Sequence, residues 1–271
     1  MTEREAAAGW APGNVDLITP NAGRVYDYFL GGACNFAADR EFAKKVLEVL
    51  PEVRAAAVQN RAFLRRAVRL LAESGVRQFL DLGSGIPTVG NTHEVVQSVI
   101  PRARVVYVDN EAMAVAHSEM ILQDNDCAAA VRADLRDPDA VLGSPEVARL
   151  LNLDEPVAIL MVAVLHFVSD VEDPVGIVGK YREALAPGSY LLISHATSDD
   201  LPGSNPVGAM YDRTTTPASL RSRARVTELF NGWELVDPGV VYTSQWRPEA
   251  PEDVAQRPES ALAYAGMARK P

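Results

Sequence analysis

Five short apolar runs, at residues 77–82, 104–109, 128–132, 157–164 and 190–195, alternate with helical stretches through the middle of this chain, and no other feature limits its fold so tightly. Several are apolar throughout rather than alternating, as strands are when both faces of a parallel sheet are covered. Strands separated by helices of this length are joined by right-handed βαβ crossovers. Two further β-rich runs, 233–241 and 261–269, are linked by a Pro-rich loop without helical periodicity, so they are expected to pair antiparallel at the sheet edge. The expectation is an α/β protein: a Rossmann-like, mostly parallel, seven-stranded sheet with an antiparallel edge strand and an N-terminal helical extension.

That extension occupies the first quarter, which lacks strand signals. Val25, Tyr26, Phe29 and Leu30 recur at helical spacing before Gly31-Gly32. Further helices are expected over 37–50 and from Pro51 to about residue 73, with Gly75 as the stop. Residues 1–20 read as a mobile arm. The chain thus divides into an arm and helical cap, 1–75, and an α/β domain, 76–271, packed as one unit, and 271 residues suffice for a single large core.

The strongest local signal is Val76-Arg77-Gln78-Phe79-Leu80-Asp81-Leu82-Gly83-Ser84-Gly85, a hydrophobic strand ending in an acid and a Gly-x-Gly turn. Glycines let the backbone approach a ligand closely at the C-terminal edge of such a sheet. A dinucleotide site would want a third glycine and an immediate helix N-terminus for the pyrophosphate. Here Thr88 takes the third position, and Pro87 to Gly90 delays the helix to Asn91, where Glu94 completes a capping box. Asp81 beside an open turn suits the ammonium of a zwitterionic amino acid better than a phosphate. After the second strand, Asp109-Asn110 offers a carboxylate for both hydroxyls of a ribose. After the third, Ala133-Asp134-Leu135 offers an acceptor for an adenine amine at Asp134 and a backbone N–H with an apolar edge at Leu135. The alternative at that position is an Asp-rich turn leading to a helix at Asp137-Pro138.

Composition excludes several classes. The longest apolar run, 157–165, is about half of the roughly 20 residues a membrane span requires. The charged, Ala-rich start is no secretory signal, which leaves a cytoplasmic protein without a membrane partner. Cys34 and Cys127 read as reduced thiols. A net charge of −10 argues against nucleic acid as partner, since that requires neutralising phosphates. Arg213, Arg221, Arg223 and Arg225 are a local exception, read as a solvated helix face or a clamp for an anionic acceptor. No histidine or cysteine pair has metal-ligand spacing, so no metal is expected.

In order, Asp81-Leu82-Gly83-Ser84-Gly85, Asp109, Ala133-Asp134-Leu135 and the apolar strand ending near Ala163 resemble the class I S-adenosylmethionine methyltransferases. More narrowly, the chain resembles an actinobacterial S-adenosyl methyltransferase family once catalogued as a domain of unknown function (DUF574). The matching stretches are Pro20-Asn21-Ala22-Gly23-Arg24-Val25-Tyr26-Asp27-Tyr28, Leu30-Gly31-Gly32 with Asn35-Phe36, Asn60-Arg61-Ala62-Phe63-Leu64, Asn91-Thr92-His93-Glu94 and Val164-Leu165-His166-Phe167. The resemblance runs from about Thr19 to Pro248 and implies the fold and S-adenosyl-L-methionine as cofactor. The Pro87 to Gly90 segment departs from the broad class, which enters the helix directly.

Methyl transfer is an in-line displacement, accelerated mainly by alignment and desolvation, and needs a base only when the acceptor loses a proton early. His166 after the fourth strand and His195 at the end of the fifth are the candidate catalytic groups, each with packing as the alternative role. His93, close to the glycine turn, either touches the cofactor tail or holds the loop, and His117 reads as structural. Tyr26, Asn35 and Phe36 around the diglycine are expected as a lid, or else as a helix packed on the sheet edge. Tyr211 and the loop from Asp199 to Pro217 are expected as an acceptor wall. The acidic surface favours a small-molecule acceptor. Two other functions compete: a non-catalytic S-adenosylmethionine-binding regulator, and an NAD(P)-dependent oxidoreductase, against which stand Thr88 and the lack of any Tyr-x-x-x-Lys pair.

Overall fold

The computed structural model describes residues 16–87, 90–199, 206–212, 214–250, 253–254 and 257–271. Expectations resting on arm residues 1–15, on Thr88, Val89 and Arg213, and on loop residues 200–205 lie outside the described residues.

The cap consists of α1 (Ala22–Phe29), α2 (Ala37–Val49) and α3 (Val53–Glu73). Asn21 starts α1 because its side chain accepts the otherwise unpaired N–H groups of Gly23 and Arg24. Asp39 does the same for α2, accepting from the Phe36 N–H at 2.9 Å. Val25 and Phe29 meet Ala43, Val46 and Ala57 in a small core of their own. The 21-residue α3 presents Phe63, Leu64, Ala67, Val68 and Leu71 along one face, a helical stripe that covers the sheet.

The α/β part runs β1 (Gln78–Leu82), α4 (Thr92–Val99), β2 (Arg104–Asp109), α5 (Ala112–Leu122), β3 (Ala128–Arg132), α6 (Pro138–Leu142), α7 (Pro145–Leu150), β4 (Ala158–Val162), α8 (Pro174–Ala184) and β5 (Tyr190–Ala196). It continues with α9 (Pro206–Tyr211), α10 (Arg223–Glu228), β6 (Glu234–Leu235), β7 (Val241–Tyr242) and β8 (Ala263–Arg269). Strand order is β3-β2-β1-β4-β5-β8-β6, with β7 also on β8. The first five strands are parallel, as the continuous apolar runs predict. Alternate residues feed two cores: Leu80, Val106, Ile159 and Ile193 on one face, Phe79, Val105, Leu160 and Leu192 on the other.

The C-terminal edge differs in detail from the sequence reading. Run 233–241 is not one strand but two dipeptide strands, because Pro238 and Gly239 form a turn closed by Gly239 N–H to Val236 C=O at 2.8 Å. The described sheet therefore has eight strands. The antiparallel strand, β8, lies one place in from the edge, between β5 and the short β6 and β7.

Candidate functional site

Strand register places the two key carboxylates. Asp81 pairs with Tyr107, and Asp109 follows two residues later on β2. Because side chains alternate with period two, Asp81 and Asp109 project from the same face of neighbouring strands. Both line a cavity of about 770 Å³ at the C-terminal edge of the sheet, together with Gly83, Ser84, Gly85, Asn110, Asp134, Leu135 and Ala163.

The turn between them is backbone-determined. Gly83 (φ 69°) donates to the Val108 carbonyl at 2.8 Å, and a Cβ there would lie 2.2 Å from Val164 Cγ2. No L side chain fits without displacing the loop after β4. Gly85 N–H donates to Asp109 Oδ2 at 2.8 Å, and Glu111 N–H donates to Oδ1 at 2.9 Å. A carboxylate has about four acceptor positions, so Asp109 retains capacity for two more donors. Burial raises its pKa.

Asp81 is the electrostatically tense member. Its Oδ2 accepts from Thr92 Oγ1 at 2.7 Å, the first residue of α4. Burial pushes its pKa up to about 6; the Thr92 bond and the Arg61 cation oppose that, while the Asp109 charge adds to it. A buried carboxyl poised in this way is stabilised in ionised form by an arriving cation.

Sequence reasoning passed over two lining residues, Asn60 and Arg61 of α3. Ser194 Oγ donates to Asn60 Oδ1 at 2.5 Å, and Asn60 Nδ2 donates to the Tyr26 hydroxyl at 2.9 Å, which donates on to the Ala57 carbonyl at 3.1 Å. Ser194 Oγ also receives the Ala163 N–H at 2.9 Å, fixing Ala163 at φ 55° at the end of β4. The cap is tied to the sheet a second time through buried Arg24, which pairs with Asp39 at 2.8 Å and reaches Glu111 at 3.3 Å. Both residues stood in the Asn60-Arg61-Ala62-Phe63-Leu64 stretch, and a polar pair on the buried side of a helix was the available signal.

Several expected roles are corrected. Asp134 is no open acceptor for an adenine amine: Arg136 donates from its backbone N–H and Nε to Oδ1, and from Nε and Nη2 to Oδ2. Arg136 also holds Glu172, so loops after β3 and β4 are strapped together beside the cavity. Arg136 holds the Asp134 carboxyl below its usual range. His195 lines the cavity but both ring nitrogens are engaged, Nδ1 with the Ala196 carbonyl at 2.7 Å and Nε2 with Arg221 Nη1 at 2.7 Å. Burial lowers its pKa to about 4, so it is a neutral packed residue without a free site for a proton. Arg221 is neither solvated nor a clamp; it is buried and also donates to the Leu165 and Val168 carbonyls and pairs with Asp170 at 2.7 Å. Arg225 is exposed and pairs with Glu228.

His93 holds the loop: its N–H and Nδ1 both meet the Tyr107 hydroxyl at 2.8 Å, and it is not among the cavity residues. Asn35 and Phe36 do not line the cavity either. Asn35 Nδ2 and Cys34 N–H both donate to Asp27 Oδ2 at 2.8 Å, and a Cβ on Gly32 would overlap the same carboxylate, so the diglycine is a tight turn. Phe36 lies under the Arg24 guanidinium. Tyr26 and Tyr211 do line the cavity, with Tyr211 edge-on to Phe42 at 5.2 Å. His166 lines it as well, and burial, His195 and Arg221 hold its pKa well below the usual histidine value.

Comparison with known proteins shows the family of this chain. A family model described as S-adenosyl methyltransferase matches residues 8–271. A solved structure from Thermobifida fusca YX that carries a methyltransferase designation is 42% identical, covers 97% of this chain and 99% of its own, and has a TM-score of 0.91. A DUF574 family protein from Streptomyces avermitilis MA-4680 is 40% identical over 94% of this chain and 99% of its own, also with a TM-score of 0.91. The pyocyanin biosynthetic protein PhzM, 16% identical over 84% of this chain and 61% of its own with a TM-score of 0.50, shares the fold. No curated protein matches the chain. The chain belongs to the S-adenosyl methyltransferase family and is an S-adenosylmethionine-dependent methyltransferase.

Proposed function

We propose that this methyltransferase acts on a small-molecule acceptor bound in the cavity beside Ala163, with the donor held between Asp81 and Asp109. The observation that carries the reading is the convergence of these two carboxylates on one face of adjacent strands around the Gly83–Gly85 turn. A cavity of about 770 Å³ falls in the range of small-molecule sites, and the net charge of −10 disfavours a nucleic-acid acceptor.

S-adenosylmethionine, when bound, supplies a methyl group on a cationic sulfonium that leaves as a neutral thioether once the acceptor's lone pair has taken the methyl. Asp81 receives the ammonium of its amino-acid end, and Arg61 on α3 faces the carboxylate beside it. Gly83 and Gly85 allow close backbone approach, and Ser84 borders the same end. Asp109 accepts both ribose hydroxyls on its two remaining positions, with Asn110 alongside. The Leu135 N–H and the apolar walls at Ala133 and Leu135 receive the adenine, while Asp134 acts by fastening the strap to Arg136. The Ser194–Asn60–Tyr26 chain fixes the Ala163 turn at the methyl end and so orients the acceptor. His166, from the loop after β4, faces the acceptor. The cap, 1–75, and the α/β part, 76–271, work as one unit, because these bonds and the Arg24–Glu111 contact cross the boundary.

No helix among the described residues is long and apolar enough to cross a membrane. Free Cys34 and Cys127 support a cytoplasmic location, and the Thermobifida and Streptomyces relatives support an actinobacterial type.

Calorimetric titration with S-adenosylmethionine, S-adenosylhomocysteine and NAD tests the donor: the first two bind and NAD does not, whereas NAD binding alone refutes the reading. Incubation of the enzyme with labelled donor and a fractionated cell extract tests the acceptor. Label is expected in the low-molecular-weight fraction, and label confined to protein or RNA refutes a small acceptor.

A further inference from the structure

The charged residues lining the cavity are not spread evenly. Among the described residues they are Asp81 with Arg61 of α3 near it, Asp109 and Glu111 at and just after the end of β2, and the Asp134–Arg136–Glu172 strap. Apart from Arg61 on α3 and Glu172 after β4, the wall formed by the cap and by the segments after β4 and β5 carries no formal charge among its described residues, and its apolar part is Phe29, Val53, Phe167, Val207 and Tyr211. Phe167 faces Tyr211 with ring centroids 6.2 Å apart, and Phe42 backs Tyr211 from behind. Phenol, phenyl and aliphatic surfaces of this kind match the face of a flat ring, and a carboxylate or ammonium buried against these five side chains would find no counter-charge among them.

Polar rings interrupt that wall, His166 and His195 among them. His166 is held by its own carbonyl, which accepts from Ser219 N–H at 2.7 Å, and by edge-on packing against His195 with centroids 5.5 Å apart. Its Nδ1 lies 3.5 Å from the Ala196 N–H, which points at it as a donor. A proton on Nδ1 would set two N–H groups against each other, so the neutral ring carries its proton on Nε2. His166 in this tautomer donates a hydrogen bond; it does not accept a proton through Nε2.

We propose that the acceptor is an uncharged, planar aromatic or heteroaromatic molecule, stacked against the Phe167–Tyr211 wall, with an oxygen that accepts a hydrogen bond from His166 Nε2–H. This rests on the methyltransferase reading and names the acceptor class of the same cavity. His166 is then a positioning residue for the acceptor rather than its base.

The test uses the full-length protein, first titrated with S-adenosylhomocysteine and then, saturated with it, with three probes. These are 2-naphthol, its charged counterpart 6-hydroxy-2-naphthoate, and its non-planar counterpart decahydro-2-naphthol. 2-Naphthol is expected to bind at least about tenfold more tightly than either counterpart. His166→Phe, which keeps a ring but no donor, is expected to weaken 2-naphthol about fivefold, and His166→Gln, which returns an N–H near Nε2, to restore it. Equal or tighter binding of the carboxylate or the saturated probe, no binding of any probe, or Gln failing to rescue would overturn the proposal. Failure to bind S-adenosylhomocysteine at all would instead strike the donor reading beneath it.

Discussion

Asp81 should make donor binding depend on pH. The ligand's ammonium needs an ionised carboxylate, and Asp81 in the ligand-free protein has a pKa raised by burial to about 6. Its sign follows: lowering the pH through 6 protonates Asp81 and removes the charge the ammonium requires, so affinity falls. At pH 5 about one tenth of Asp81 is ionised, and affinity for S-adenosylhomocysteine should drop about tenfold relative to pH 7, or roughly 1.4 kcal/mol. Asp81→Asn can still accept the Thr92 hydrogen bond but carries no charge. It should bind about 10- to 100-fold more weakly at pH 7, the scale of a lost charge-assisted bond, with a profile flat from pH 5 to 7. Isothermal titration at pH 5, 6 and 7 on both proteins reads this directly. A flat wild-type profile, or an Asn variant that keeps the wild-type slope, would refute the assignment of Asp81 to the ammonium. The same raised pKa has a stability consequence. Because the folded chain holds this proton more tightly than the unfolded one, Asp81 destabilises the ligand-free fold as pH rises from about 4 through 6, by up to about 3 kcal/mol at neutral pH. Ligand-free Asp81→Asn should therefore melt several degrees above wild type at pH 7, with the gap shrinking toward pH 4.

Asp109→Ala should weaken S-adenosylhomocysteine by about 1–3 kcal/mol in a folded protein, and unchanged affinity would remove the ribose role. Gly83→Ala, at φ 69° with its Cβ 2.2 Å from Val164, should abolish measurable donor binding while leaving a circular dichroism spectrum of the same helix content. Arg221→Met leaves Asp170 with only the longer Arg225 contact and His195 Nε2 and the Leu165 and Val168 carbonyls without their donor. Denaturant unfolding should show a loss of about 1–3 kcal/mol, the scale of buried acceptors left without a donor. Phe63→Ala, emptying a fully buried site edge-on to Trp246, should cost about 3–5 kcal/mol in the same assay.

Where local chemistry determined structure, the sequence was readable. Asn91 before α4 and Asp137 before α6 mark helix starts because a short polar side chain there satisfies N–H groups of the first turn. The Asp81 and Asp109 pair was legible because period-two strands of known order fix which face each acid takes. The division of 233–241 was not, since dipeptide strands carry no periodicity and their pairing is dictated by β8, about thirty residues later. The site polar network was hidden for a similar reason. Ser194 and Asn60 are 134 positions apart, so the polar Asn60-Arg61 pair on α3 could mark a buried polar site but not name Ser194 as its partner. His195 and Arg221 show the converse: each admitted a functional reading in isolation beside a structural one, and each is bonded to the other once the loop after β4 folds over them. Asp134 looked available until its own neighbour two residues on took both of its oxygens.

The account stands or falls on how the donor sits between two carboxylates. A crystal structure of the protein with S-adenosylhomocysteine measures this directly. It should show the ammonium within about 3 Å of Asp81 and both ribose hydroxyls within about 3 Å of Asp109, hydrogen-bonding distances. A ligand bound elsewhere, or one that reaches neither carboxylate, would contradict it.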